Sequence, residues 1–245
     1  MAENKKADVL GVLVDNITMP DAVSKILEKQ RNGNNVSVFT PNSEMVMEAR
    51  KDSSFMVILN EASMVIPDGA GVVLGAKILG EQITEKVAGV DLVKNILSSG
   101  TPLSVYIFGG KPGVAEKAAS NIEGKYKEIS ICGADHGYHP AEENDAVVKK
   151  ILLSSPDLLL VGLGVPGQEK WIAENINKFD ATICIGCGGT IDIFSGEVKR
   201  APGIFIKLNL EWFYRLVKQT SRITRMLRIP VFLMLCTVRR VFGRS

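Results

Sequence analysis

Long apolar runs are missing from this chain of 245 residues. A helix that spans a bilayer needs about 18–20 consecutive apolar residues, and the longest late candidate, residues 229–238, is much shorter and contains Pro230. The amino end does not resemble a secretory signal, because residues 1–6 are polar and the short apolar stretch after them holds Asp8 and Asp15. We therefore expect a cytoplasmic protein that is at most peripheral to a membrane.

Cysteine and histidine are scarce, with four and two residues. Cys184 and Cys187 have CxxC spacing, but the sequence holds no second pair to complete a four-cysteine zinc site. We interpret both as structural cysteines in a reducing compartment, with a redox or metal role as the alternative. His136 and His139 share a loop rich in glycine and proline. Because no third ligand can be assigned to them, we predict a loop or substrate-contact role without metal.

Acidic residues are almost absent from the carboxyl end. Of the 29 lysines and arginines, eleven lie from Lys199 onward, where Glu211 is the only acidic residue. A basic end on an acidic body indicates an anionic partner, either nucleic acid or anionic lipid. We predict an α/β core over residues 1–198 and a basic appendage over residues 199–245.

Short apolar runs alternate with segments of helical periodicity, which predicts an α/β fold. The expected architecture is a Rossmann-like parallel sheet, wound by right-handed crossovers and flanked by helices, with a C-terminal basic amphipathic helical appendage. The predicted strands are residues 9–14, 36–39, 64–66, 105–108, 129–132, 158–161 and 182–185. The first predicted helix begins at Pro20. The other predicted helices cover residues 44–51, 55–61, 72–79, 90–97, 114–122, 145–153, 171–177 and 202–228.

A carboxylate stands directly after the predicted strand 64–66. Asp68 lies between Pro67, which ends the strand, and Gly69, which permits a sharp turn. Ligands of open α/β sheets bind at the carboxyl ends of the strands, so Asp68 is a candidate general base. Ordinary turn chemistry explains the same residues equally well.

Polar side chains also follow the predicted strand 36–39. Thr40 and Asn42 stand where this strand gives way to a helix, a place that suits an anion or a sugar hydroxyl. Helix capping alone would also explain Asn42.

Three predicted strands end in glycine-rich loops, at residues 109–113, 162–167 and 186–189. Such a turn lets backbone N–H groups approach a phosphate. Each loop is a weak signal by itself, but loops gathered at one edge of a sheet predict a nucleotide or sugar-phosphate site.

The predicted helix 202–228 is amphipathic. Trp212, Phe213 and Leu216 share one face, and Arg215, Arg222 and Arg225 form a stripe on the neighbouring one. Such a helix lies on an anionic membrane or covers the pocket with its arginines facing phosphates. A solvated face on a packed helix is the third possibility. Nucleic acid is disfavoured, because the aromatic residues do not interleave with the arginines as stacking platforms.

Five motifs occur in order over nearly the whole chain: Thr40-Pro41-Asn42, Pro67-Asp68-Gly69, residues 108–113, residues 162–169, and residues 187–190 with Arg200-Ala201-Pro202. Together they resemble the WecG/TagA/CpsF glycosyltransferase family. Within it the chain is most similar to the TagA branch, the N-acetylmannosaminyltransferases of wall teichoic acid assembly.

This resemblance implies transfer of N-acetylmannosamine from its UDP donor to the 4-hydroxyl of N-acetylglucosamine on undecaprenyl diphosphate. The linkage is β, so the anomeric centre inverts, and Asp68 matches the proposed base. Thr40 and Asn42 match residues that line the same pocket. Four residues fall where the family is expected to hold the donor nucleotide: Gly109, Gly110, Gln168 and Glu169. Three arginines would meet the diphosphates when the tail closes: Arg215, Arg222 and Arg225.

The diphosphate leaving group needs charge stabilisation. No Asp-x-Asp motif is placed to hold a metal ion, so we expect arginines to serve instead and predict no metal and no cofactor. The lipid acceptor would bring the enzyme to the inner face of the bacterial membrane, and a homo-oligomer is possible. Should Asp68 not be the base, Asp192 and Glu169 are the next candidates.

Two other functions are compatible with the same residues. A member of the same family could use another UDP-sugar, a mannosaminuronic acid or a glucose donor, for a different surface polysaccharide. A non-catalytic nucleotide-binding module could dock on the membrane through its basic tail. Such a module needs no base at Asp68.

Overall fold

The computed structural model of the protein describes residues 5–207, 211, 214 and 228–243. Its strands are β1 (Lys6–Val9), β2 (Val12–Asp15), β3 (Val36–Phe39), β4 (Met64–Val65), β5 (Leu103–Gly109), β6 (Ile129–Asp135), β7 (Leu158–Gly162) and β8 (Ile183–Gly186). Its α-helices are α1 (Met19–Arg31), α2 (Ser43–Ala49), α3 (Ser53–Asn60), α4 (Ala70–Leu79), α5 (Gly89–Leu97), α6 (Val114–Lys125), α7 (Asn144–Ser154), α8 (Gly167–Asn175), α9 (Gly188–Ser195), α10 (Gly203–Lys207) and α11 (Arg228–Phe242).

Six strands of the described chain form one wholly parallel sheet, in the order β4-β3-β8-β7-β5-β6. The central strands are apolar on both faces, as in β7, whose Leu158, Leu159, Leu160 and Val161 are fully buried. One face of the sheet packs against α1, α5, α6 and α9, and the other packs against α2, α3, α4, α7, α8 and α11. The predicted α/β fold with a parallel sheet flanked by helices is therefore confirmed.

The single strand predicted over residues 9–14 is wrong. The amino end forms an antiparallel hairpin of β1 and β2, separate from the parallel sheet. Its two-residue turn has positive φ at Leu10 (53°) and Gly11 (98°), as a type I′ turn requires. Leucine rarely adopts such an angle, so the apolar run did not indicate a turn at this position.

The other predicted strands are confirmed, and so are the predicted helices up to residue 177, with ends displaced by at most four residues. The helix predicted over residues 202–228 lies largely outside the described residues. Its described part includes α10 and ends where α11 begins, at Arg228.

The helix α11 packs on the core. Phe232 and Cys236 are fully buried, and a Cβ atom added to Gly75 of α4 would come within 2.6 Å of the Phe232 ring. Only a glycine therefore lets the two helices approach so closely. The predicted division at residue 198 stays a prediction, but α11 shares a hydrophobic core with the parallel sheet.

Basic residues of α11 bind groups of the core. Arg239 donates to both carboxylate oxygens of Asp8, at 3.3 and 2.7 Å, and Arg228 donates to Glu48 at 2.9 Å. Arg240 donates to the carbonyl oxygen of Leu79 at 3.2 Å. These three arginines hold the helix in place, although the charge pattern suggested that they face an anionic partner.

Side chains on the outer side of α11 remain apolar and exposed, among them Met234, Val238, Val241 and Phe242. No helix in the described ranges is both long enough and apolar enough to cross a membrane.

Candidate active site

The turn that carries Asp68 is held by backbone hydrogen bonds at the end of β4. The Asp68 N–H donates to the Pro41 carbonyl at 3.2 Å, and the Pro67 carbonyl accepts from the Val87 N–H at 2.9 Å. Gly69 has φ +84° as the N-cap of α4, a conformation that favours glycine. Asp68 thus occupies a backbone position set by both neighbouring segments, at the carboxyl edge of the sheet.

Thr40 and Asn42 lie beside this turn. The Asn42 Oδ1 accepts from the N–H groups of Glu44 and Met45, at 2.9 and 3.1 Å, so Asn42 caps α2. A Cβ atom added to Gly89 of α5 would lie 3.0 Å from the Thr40 hydroxyl oxygen, so that hydroxyl faces the start of α5. The structure brings the three predicted residues together, although capping accounts for the Asn42 carboxamide oxygen.

An ion pair that lies near Asp68 was not predicted from the sequence. The Arg200 guanidinium donates two hydrogen bonds of 2.5 Å to the two carboxylate oxygens of Asp91, in the first turn of α5. The hydrogen bonds to Asp91 raise the pKa of Arg200, and the charge of Asp68 adds to that rise. Arg200 therefore places a lasting positive charge close to the candidate base. The Arg200-Ala201-Pro202 motif was its only signal, and nothing in the local spacing connects it to Asp91.

The glycine-rich loops meet through their backbones. The Gly110 N–H donates to the Gly162 carbonyl at 3.1 Å, and the Gly137 N–H donates to the Gly110 carbonyl at 2.9 Å. A Cβ atom on Gly162 would lie 3.1 Å from the Cα of Gly188. The ends of β5, β6, β7 and β8 therefore form one continuous surface that is largely backbone.

The helices that follow neighbouring strands of this surface lie on opposite faces of the sheet. After β5 the chain enters α6 on one face of the sheet, whereas after β7 it enters α8 on the other face. Neighbouring parallel strands whose helices leave to opposite faces open a crevice at their carboxyl ends, where ligands of such folds bind. The predicted nucleotide residues Gly109 and Gly110 stand at this crevice. That they bind a nucleotide stays a prediction.

Asp68 and the crevice are well separated. Asp68 follows β4 and Gly109 follows β5, four strands away in the sheet order, which corresponds to about 19 Å at the usual strand spacing. A ligand that touches both must be extended and must cross the ends of β3, β8 and β7.

Gln168 and Glu169, in the first turn of α8, are buried, with exposed fractions of 5% and 0%. The Gln168 Nε2 donates to the Glu169 Oε1 at 2.7 Å, and the Gln168 Oε1 accepts from the Gly188 N–H at 3.2 Å. Burial raises the pKa of Glu169 to about 7. Their predicted contact with a nucleotide remains untested, and both side chains lie beneath the surface of the site.

The histidine loop brings a third potential metal ligand, Asp135, next to the two histidines. The ligand atoms of Asp135, His136 and His139 lie within 4.8 Å of one another. However, the Nε2 of His139 lies 3.0 Å from Asp135 and its Nδ1 lies 3.0 Å from Glu143, and these contacts raise its pKa, the one to Glu143 most. Both ring nitrogens of His139 therefore face carboxylates, and these contacts form an ion network when the imidazole is protonated.

The CxxC cysteines support the structural interpretation. Cys184 and Cys187 are buried free thiols, and burial raises the pKa of Cys187 to about 12. A thiol with such a pKa is protonated at neutral pH and is a poor nucleophile. The predicted diphosphate ligands Arg215, Arg222 and Arg225 lie outside the described residues.

Substitution of Gly109 by alanine should damage the crevice. Gly109 has φ +142°, and an added Cβ atom would come within 2.4 Å of the Gly162 carbonyl oxygen, so the two loops must separate. We expect a loss of stability of about 1–3 kcal/mol, as for other overpacked sites, together with weaker binding of UDP in calorimetry. The control is Gly124→Ala in α6, where an added Cβ atom has nothing within 4 Å. Unchanged UDP affinity in the Gly109 variant would contradict a nucleotide site there.

Comparison with known proteins gives concordant results. The family model described as "Glycosyl transferase WecG/TagA/CpsF family" matches residues 7–245. Proteins from Staphylococcus aureus strains MW2 and NCTC 8325 / PS 47 are each 36% identical over 232 residues, which cover 93% of this chain and 91% of each relative. Both relatives are named N-acetylglucosaminyldiphosphoundecaprenol N-acetyl-beta-D-mannosaminyltransferase.

Proposed function

The chain belongs to the WecG/TagA/CpsF glycosyltransferase family, and on that premise we propose that it transfers N-acetylmannosamine from UDP to N-acetylglucosamine on undecaprenyl diphosphate. The observation that carries the proposal is the likeness to relatives named for this acceptor and this sugar, which extends over 93% of the chain. In bacteria that make wall teichoic acid, this transfer would be an early step of linkage-unit synthesis.

The chemistry is an inverting displacement at the anomeric carbon. The acceptor 4-hydroxyl oxygen forms the new β-1,4 bond while the bond between the sugar and the UDP diphosphate breaks. Asp68 accepts the hydroxyl proton, and UDP leaves with the bonding electrons. The supporting geometry is the fixed turn after β4, which holds Asp68 beside Thr40 and Asn42 at the sheet edge where ligands bind.

Positive charge must compensate the departing diphosphate. Among the described cations, we assign this task to Arg200. Asp91 holds its guanidinium in place, and its charge interacts with that of Asp68. Arg215, Arg222 and Arg225 are proposed to add bidentate contacts to phosphate when the tail closes over the site. No metal ion is required in this scheme.

The acceptor is carried by a lipid, so the enzyme works at the inner face of the cell membrane as a peripheral protein. The exposed apolar side chains of α11, including Met234, Val238 and Phe242, support this placement. The basic residues of the segment between α10 and α11 would add attraction to anionic lipid. A homo-oligomer remains a prediction.

Donor specificity tests the proposed function. The purified chain is incubated with N-acetylglucosaminyl-diphospho-undecaprenol in vesicles and with one labelled donor at a time: UDP-N-acetylmannosamine, its uronic acid, or UDP-glucose. Transfer from UDP-N-acetylmannosamine alone, with a β-1,4 linkage shown by NMR of the released disaccharide, is the expected result. Transfer from a different donor only would replace the proposed sugar, and UDP binding without any transfer would favour a binding module.

A further inference from the structure

A buried acid is connected to the surface of the site through one intervening side chain. The Glu169 carboxylate accepts from the Gln168 Nε2 at 2.7 Å, and the Gln168 Oε1 in turn accepts from the Gly188 N–H at 3.2 Å. Glu169 is 0% exposed, whereas Gly189, the residue after Gly188, is exposed. The three groups therefore form a relay from the interior to the turn that begins α9.

The chemistry of the two side chains allows one orientation of the carboxamide. The Gln168 amide nitrogen only donates, and the Glu169 Oε1 accepts from it either as a carboxylate oxygen or as the carbonyl oxygen of the protonated acid. With the amide nitrogen held toward Glu169, the Gln168 oxygen faces the Gly188 N–H. A carboxamide without this partner could rotate by half a turn and present its NH₂ group to that N–H, where two donors would meet.

The turn held by this relay lies at the centre of the backbone surface formed by the ends of β5, β6, β7 and β8. The Cys187 N–H donates to the Val161 carbonyl at 2.8 Å, and a Cβ atom on Gly188 would lie 3.6 Å from the Cα of Gly162. The strand before the turn, β8, pairs with β3, which leads to Thr40. A ligand that extends from the Gly162 crevice to Asp68 must pass this turn.

The burial of Glu169 is not explained by a gain in the stability of the fold. The Glu169 Oε2 has no hydrogen-bond partner among the residues that the structure describes, and its burial without a paired cation destabilises the fold. Lys170, the next residue in the chain, pairs with Asp52 at 2.7 Å. The Cys187 thiol is uncharged at neutral pH, because burial raises its pKa to about 12. A residue that costs stability at the edge of a site is expected to serve the site.

We propose that Glu169 is a positioning residue, which holds the Gln168 carboxamide in the orientation that fixes the Gly188 backbone beside the bound donor. The inference rests on the proposed function, since the donor is what the turn would meet. It assigns Glu169 an indirect role in place of direct contact with the nucleotide.

Two variants separate positioning from packing. Glu169→Leu has a similar volume and removes the acceptor, so the Gln168 carboxamide loses its fixed orientation. Glu169→Gln keeps an acceptor oxygen for the Gln168 Nε2 and should lose less activity. Asn175→Leu is the control, because Asn175 is also a buried polar residue of α8 (1% exposed), two turns from the relay.

We expect Glu169→Leu to lower kcat/KM for the donor by about 10²-fold, the effect of a small misplacement in a site, with KM for the lipid acceptor unchanged. Its melting temperature should equal or exceed that of the native enzyme. The Gly188 amide signal in the ¹⁵N–¹H spectrum should shift and exchange with solvent faster, and Glu169→Gln should restore part of both properties. Asn175→Leu should leave kcat/KM for the donor at the native value.

Native kcat/KM in Glu169→Leu, or an equal loss in Asn175→Leu, would overturn the inference. Should Glu169→Leu fail to fold, Gln168→Leu removes the middle group of the relay and must produce the same loss. If the native enzyme transfers no sugar at all, the proposed function fails, while the Gly188 amide signal still decides whether Glu169 positions the turn.

Discussion

Replacement of Asp68 by asparagine should lower the rate of sugar transfer by about 10²–10⁴-fold, the usual contribution of a general base. Asparagine has nearly the same shape as aspartate but cannot accept the acceptor's proton. The turn itself should persist, because it is held by the backbone of Pro41, Pro67 and Val87 and by the positive φ of Gly69. We expect native UDP affinity and a native melting temperature beside the low kcat.

The matched control is Asp192→Asn. Asp192 is also half-buried and lies in α9, and it was a candidate base in the sequence. We expect its substitution to leave at least most of the transfer rate intact. If Asp68→Asn transfers sugar at the native rate and Asp192→Asn does not, the base is Asp192, and the role of the turn after β4 must be reconsidered.

Truncation of Phe232 to alanine should destabilise the protein by about 3–5 kcal/mol, as for other buried phenylalanines. The ring is fully buried and lies against Gly75 of α4, which has no side chain that could fill the space. Urea denaturation, followed by circular dichroism, measures the change in the free energy of unfolding. The test asks whether α11 belongs to the folded core in solution.

Phe242→Ala is the control for this prediction. Phe242 lies on the same helix but is 79% exposed, so its truncation should change the stability by less than about 0.5 kcal/mol. Equal stability of the two variants would mean that α11 does not pack on the core in solution. The ion pair of Arg239 with Asp8 would then not form either, and the basic residues of α11 would again be available to a membrane.

Most elements of the core were predictable because the signals for them are local, although α9 (Gly188–Ser195) was not predicted. Short apolar runs, glycines and prolines mark the ends of strands and helices within a few residues. The hairpin of β1 and β2 was missed because Leu10 adopts a positive φ that its chemistry disfavours. Cross-strand pairing and tertiary packing favour that angle, and neither is visible in a window of ten residues.

The site was predictable in part. The positions of Asp68, Thr40 and Asn42 after their strands followed from the pattern, whereas their shared pocket was implied only by the resemblance to the family. The charge pattern of the carboxyl end did not predict that Arg228 and Arg239 bind Glu48 and Asp8, and an anionic partner for the remaining basic residues stays a prediction. A count of charges cannot distinguish an arginine that faces a partner from one that closes an ion pair within the chain.

The sequence by itself determined the fold class, the family and the residues that end the strands, since each depends on neighbours in the chain or on a motif. Only the tertiary structure decided the strand order, the crevice between β5 and β7, and the pairs Arg200–Asp91 and Gln168–Gly188. These join residues 20 to 109 positions apart. Their pairing depends on which strands lie side by side, and many orders of the same strands satisfy the local pattern equally well.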